Sequence, residues 1–238
     1  NRLFKGIGLL LVLAMLCTVS AFADDTVRIG SAAELAALGG KELTGKIELT
    51  QDIDMTGVAM EPITSFTGEF NGNGYTVKNL TISAELAENY TTKGAALFAA
   101  FSGTARDVVF ENPAITLTKG QNVGAAVLCG VVGEDGATIE NVGIVGGSVS
   151  IEAAKTTYAG GLVGYAVNTS LTVKNCFAEA DVVYTGSAKP TYNYFGGMLG
   201  YMMNVDLAFE NCAVLGDVKA HTGYGVGYAS GVVGIING

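Results

Sequence analysis

A six-residue stretch, Gly160-Gly161-Leu162-Val163-Gly164-Tyr165, returns as Gly196-Gly197-Met198-Leu199-Gly200-Tyr201 and again as Ser230-Gly231-Val232-Val233-Gly234-Ile235. Looser copies lie upstream, at Ala125-Ala126-Val127-Leu128-Cys129 and Ala95-Ala96-Leu97-Phe98-Ala99. Aligned on Ala96, Ala126, Gly161, Gly197 and Gly231, the steps are 30, 35, 36 and 34 residues. Self-similarity at such a period marks a solenoid, in which each repeat buries its apolar face only against its neighbours.

A second signal alternates with the copies: an apolar residue, any residue, Asn, and another apolar residue. It reads Val77-Lys78-Asn79-Leu80, Ile139-Glu140-Asn141-Val142, Val173-Lys174-Asn175-Cys176 and Phe209-Glu210-Asn211-Cys212, with Asp107 replacing Asn in Ala105-Arg106-Asp107-Val108. Apolar residues alternate on both sides, but in different phase, so the chain turns at each Asn. One period therefore holds about three short strands and no amphipathic helix. Glycine supplies 34 of 238 residues and proline only 3, as many tight turns between short strands require. The expected class is all-β, a parallel β-helix. Stacked coils would place Asn79, Asp107, Asn141, Asn175 and Asn211 in one structural ladder, where side-chain amides satisfy one another and the turn backbone.

The ends read differently. Arg2 and Lys5 precede the apolar run from Ile7 to Cys17, and Ala21-Phe22-Ala23 offers small residues for cleavage, so residues 1–23 read as a secretory signal. Large Leu16 before Cys17 argues against a lipoprotein anchor. Residues 24–46 read as an N-terminal cap, with Ser31 as N-cap, Glu34 completing a capping box, Leu35 and Leu38 on one face, and Gly39-Gly40 as the stop. The repeat domain then covers 47–238 and is expected to continue past Gly238. Its uncapped edge, with Val232, Val233, Ile235 and Ile236, predicts end-to-end self-association of this fragment.

The order Asp52-Ile53-Asp54, Phe70-Asn71-Gly72-Asn73-Gly74, Asn79-Leu80 and then the Gly-Gly-Leu-Val-Gly copies resembles that of bacterial surface proteins carrying the GLUG repeat. The resemblance covers about residues 47 to 238. It implies a right-handed parallel β-helix and a role as a stalk or adhesive module. Some streptococcal immunoglobulin A1 proteases carry such repeats beside a zinc peptidase domain. This chain has a single histidine, His221, and no His-Glu-any-any-His, so the peptidase part is not implied.

The same economy holds elsewhere. The formal charge is −9, and without Arg2 and Lys5 the chain has 11 basic against 22 acidic residues, a poor match to nucleic acid or an anionic membrane. Asp52 and Asp54 form only part of a calcium-loop pattern. Acids do not align on successive coils as a polysaccharide lyase or glycosidase, the alternative reading, would need. No catalytic, metal-ligating or cofactor-binding residue is therefore assigned. Cys176 and Cys212 fall one coil apart, in range of a disulfide but oriented more as packed thiols. Tyr158, Tyr194 and Tyr228 each stand three residues before the second motif position. With Tyr192 on the polar loop from Thr185 to Asn193, they form the candidate contact surface for a host or matrix glycan or protein. Tyr165 and Tyr201 match as well, and parity leaves open whether this column is a binding face or a buried stack.

Overall fold

The computed structural model describes residues 26–86, 94–153, 155–187, 190–220 and 226–237. The signal segment and His221 lie outside these residues. The chain winds into a parallel β-solenoid of about five turns with three sheets, in which all paired strands run parallel. The longest sheet runs through Thr26–Ile29, Glu42–Leu49, Ser65–Asn71, Phe98–Glu111, Cys129–Val145, Val163–Lys174, Leu199–Glu210 and Val233–Asn237. A second joins Thr81–Glu85, Ala114–Lys119, Ser148–Ile151, Asp181–Tyr184 and Val218–Lys219. The third joins Gly94–Ala95, Val123–Ala125, Thr157–Gly160, Tyr192–Gly196 and Val226–Ser230. Each later turn visits the second, third and long sheets in that order.

Strand register refines the repeat. Ala125 pairs with Ala159 and Cys129 with Val163, so Ala126 stands opposite Gly160 rather than Gly161. The upstream copy is one residue out of the frame that its composition indicates. Strand pairing also starts before residue 47. Thr26–Ile29 pairs in register with Lys46–Leu49, and that strand begins at Glu42, so the segment read as a cap already carries sheet. Its helix is short, Ala32–Ala36. The Ser31 hydroxyl accepts from the Glu34 N–H, while the Glu34 carboxylate reaches back to the Gly30 N–H at 2.8 Å. Leu35 and Leu38 are buried beneath it.

The corners share one backbone device. Asn79, Asp107, Asn112, Asn141, Asn175 and Asn211 all have φ between 51° and 56°, the left-handed region that Asn and Asp tolerate better than most residues. One such residue turns the strand and resets the in–out alternation. Ile139 and Val142 are thus both fully buried on either side of exposed Asn141.

Inside, equivalent residues stack. Ile115, Val149 and Val182 form one buried column. Four phenylalanines fill the first turns: Phe98 packs its ring 5.2 Å from Phe66, 5.4 Å from Phe70 and 5.1 Å from Phe101. A buried polar pair interrupts the column Val123, Thr157, Asn193 and Gly227. The Thr157 hydroxyl donates to Asn193 Oδ1 at 3.1 Å, and Asn193 Nδ2 has no partner because the next coil offers glycine there.

Candidate contact surface

The repeated glycines bring strands of the third and long sheets together. A Cβ on Gly164 would lie 2.6 Å from the Ala125 nitrogen and 2.8 Å from both Gly124 Cα and the Gly130 carbonyl oxygen. One on Gly200 would lie 2.8 Å from the Ala159 nitrogen. Only a residue without Cβ lets these backbones touch. The turn between them, including Leu162 and Met198, is fully buried. The contact also draws together the tyrosines carried by the two sets of strands.

Tyr158, Tyr194 and Tyr228 stand in register in the third sheet, following Gly124. Tyr165 and Tyr201 stand in register in the long sheet, between Val131 and Ile235. The two columns interlock. Tyr158 stacks on Tyr165 at 4.6 Å between centroids and on Tyr194 at 5.5 Å, and lies 4.8 Å from Tyr201. Tyr194 meets Tyr201 edge-on at 5.2 Å and Tyr228 face to face at 5.1 Å, and Tyr192 lies 6.1 Å from Tyr194.

The four residues of the expected surface therefore have different environments. Tyr158 points away from buried Thr157 and Ala159, yet is only 9% exposed, because other tyrosines cover it. It belongs to the stack and not to the surface. Tyr192 and Tyr228 are 40% and 41% exposed, and Tyr194 is half-buried between them. Burial, and then the neighbouring tyrosines, push the phenols of Tyr158, Tyr165 and Tyr194 above the usual tyrosine value. Composition and spacing mark Tyr165 and Tyr201 only as matching positions. Their membership in the cluster follows from the glycine contact, which in–out parity does not reveal.

The ladder is also redrawn. Asn211 Nδ2 donates to Asn175 Oδ1 at 3.2 Å, Asn175 to Asn141 at 3.2 Å, and Asn141 to Asp107 at 2.9 Å. Arg106 binds the other Asp107 oxygen at 2.7 Å and reaches Glu69 across the next coil. Asn79 is not in this column. Lys78 pairs with Glu111, which pairs with Val145, so Asn79 shares its corner with Asn112 and Gly146. Its amide instead donates to Asp54 at 2.9 Å. A further rung links Asn204 Nδ2 to Asn168 Oδ1 at 3.1 Å.

Asp54 accepts from Asn79, the Thr56 hydroxyl and the Thr56 N–H, and these bonds lower its pKa to about 2. A carboxyl depressed in the folded state adds stability that is present above its unfolded value of about 4 and lost as pH falls through its folded value. Melting temperature should therefore drop between about pH 4 and pH 2, and Asp54→Asn should flatten that drop. Identical profiles for the two proteins would refute this role for Asp54.

The remaining residues singled out by sequence have local partners. Asp52 accepts from the Thr76 N–H at 2.9 Å. Cys129, Cys176 and Cys212 are free thiols. Cys176 donates to the Lys174 carbonyl at 3.0 Å, and burial pushes it up to about 12. Among the described residues, no three His, Cys, Asp or Glu side chains are grouped to hold a metal ion, and no helix is long and apolar enough to cross a membrane.

No family model matches the chain. A stretch of 112 residues, 47% of the chain, is 34% identical to halomucin of Haloquadratum walsbyi and spans 1% of that protein. The crystal structure of a "putative immunoglobulin A1 protease" from Bacteroides ovatus matches with a TM-score of 0.50 and 16% identity, over 85% of this chain and 84% of that one. That identity speaks to fold alone. The chain is thus a parallel β-solenoid, similar in fold to the Bacteroides ovatus protein over most of its length and in sequence to halomucin over about half.

Proposed function

We propose that this solenoid is a non-catalytic structural and adhesive module of a secreted or cell-surface protein, with its contact surface at Tyr192, Tyr194 and Tyr228. The observation that carries the reading is the division of the tyrosine cluster into a buried base at Tyr158 and an exposed rim at Tyr192, beside half-buried Tyr194. Rings locked by stacking present amphipathic area at little entropic cost, which suits recognition of a glycan or a protein. The hydrogen-bonded asparagine column and the in-register apolar columns supply a stiff support. The likeness to halomucin, confined to a small part of that protein, supports a repeat module within a larger polypeptide.

A spacer that binds nothing is the second reading, favoured by how closely the rings pack on one another. Alanine variants separate the two. Tyr158→Ala should cost about 3–5 kcal/mol of stability, as buried aromatic truncations do. Tyr192→Ala should change stability by no more than about 0.5 kcal/mol, yet weaken capture on a glycan and matrix-protein array. An array that the unmodified protein binds equally well after Tyr192→Ala and Tyr228→Ala would remove the contact surface. No binding at all would favour the spacer.

A further inference from the structure

We propose that Tyr194 and Tyr228 form a site of oxidative cross-linking, at which a dityrosine bond joins neighbouring coils. The two residues are direct register partners on adjacent parallel strands. Their rings lie 5.1 Å apart and within 5° of parallel. Side chains of in-register parallel partners leave their strands in the same direction. Modest rotation of two half-exposed rings brings together the carbons ortho to each hydroxyl.

The surroundings favour reaction at this rim. Six tyrosine rings form one connected set, each within 6.1 Å of another. The chain has no tryptophan to drain an electron hole from it. A phenol loses its electron readily only if it can also lose its proton. Tyr158 is covered, and burial holds its proton more tightly. Tyr192, stacked on Tyr194, is 40% exposed. A hole that enters the set therefore settles at this exposed rim, beside the parallel pair.

The chemistry balances with an external peroxide as oxidant. Each phenol gives up one electron and one proton, and the two phenoxyl radicals join through their ortho carbons. Each ring then sheds its ortho hydrogen as its oxygen is reprotonated. Overall, two hydrogen atoms leave the pair and one hydrogen peroxide becomes two waters. The inference is independent of ligand binding and would survive failure of the adhesive reading.

The test treats dilute protein with hydrogen peroxide and a haem peroxidase, isolates the monomer and maps its peptides by mass spectrometry. The expected product is a peptide pair joined through Tyr194 and Tyr228, lighter by two hydrogens than the sum of its parts, with dityrosine fluorescence. Tyr194→Phe and Tyr228→Phe keep the ring stack but cannot form the radical, so each should abolish the bridge, whereas Tyr192→Phe should retain it. The bridged monomer should also melt at a higher temperature, since a bond between residues one coil apart restricts the unfolded chain. The proposal is overturned by a monomer without the bridge, by a bridge that persists in Tyr228→Phe, by products linked only between molecules, or by equal yield from denatured protein.

Discussion

Phe98→Ala should destabilise the protein by about 3–5 kcal/mol, in the range of large aromatic truncations in tightly packed cores. Phe98 is fully buried and contacts Phe66, Phe70 and Phe101, so one truncation removes three ring contacts. Its neighbour in the next coil is the much smaller Cys129, which cannot extend into the space. The surrounding backbone is held on both sides by strand pairing with Ser65–Asn71 and Cys129–Val145, so the cavity will collapse only in part. Urea unfolding followed by circular dichroism should show the midpoint shift. A loss below about 1 kcal/mol would mean that the first turns repack freely, contrary to the close packing expected of such a core.

The second large effect comes from adding one methyl group. Gly200→Ala places its Cβ 2.8 Å from the Ala159 nitrogen and 2.9 Å from the Ala159 carbonyl carbon, closer than real Cβ contacts come. It lies nearer still to the Gly164 carbonyl oxygen. These are backbone atoms in paired strands, so no rotamer change relieves the clash. The cost should reach or exceed the upper end of the usual overpacking range of about 1–3 kcal/mol. A melting temperature for Gly200→Ala equal to that of the unmodified protein would show that backbone contact is not what this motif glycine provides.

Much of the architecture is legible in sequence because a solenoid repeats its instructions. The period, the parallel class and the turn at each Asn follow from spacing and alternation. What failed shows what spacing lacks. The pattern apolar-any-Asn occurs at two different corners of a turn, and Phe110-Glu111-Asn112-Pro113 is a copy whose proline hides it. Spacing therefore groups Asn79 with Asp107, whereas its register partner is Asn112. The Tyr158 environment was equally hidden. Alternation shows that Tyr158 leaves the core face. It does not show that glycines at 124, 164 and 200 draw two strands together until one tyrosine column covers another.

The asparagine column also has a sense of direction. Asp107 can only accept, so Asn141 must turn its nitrogen towards it and present its oxygen to the following coil. Asn175 and Asn211 then have no choice of orientation. The result is a string of aligned side-chain dipoles, each polarising the next, with its positive, donor end against a carboxylate compensated by Arg106. An aspartate at rung 141 or 175 would have no hydrogen to pass on and would cut the string in two. At rung 107 it ends the string without breaking it. Asp54 also accepts from an amide, that of Asn79, though its register partner is Lys78. In the Asp107 corner the acid stands where a one-way relay of amides has to begin, and it sets which way every later amide faces.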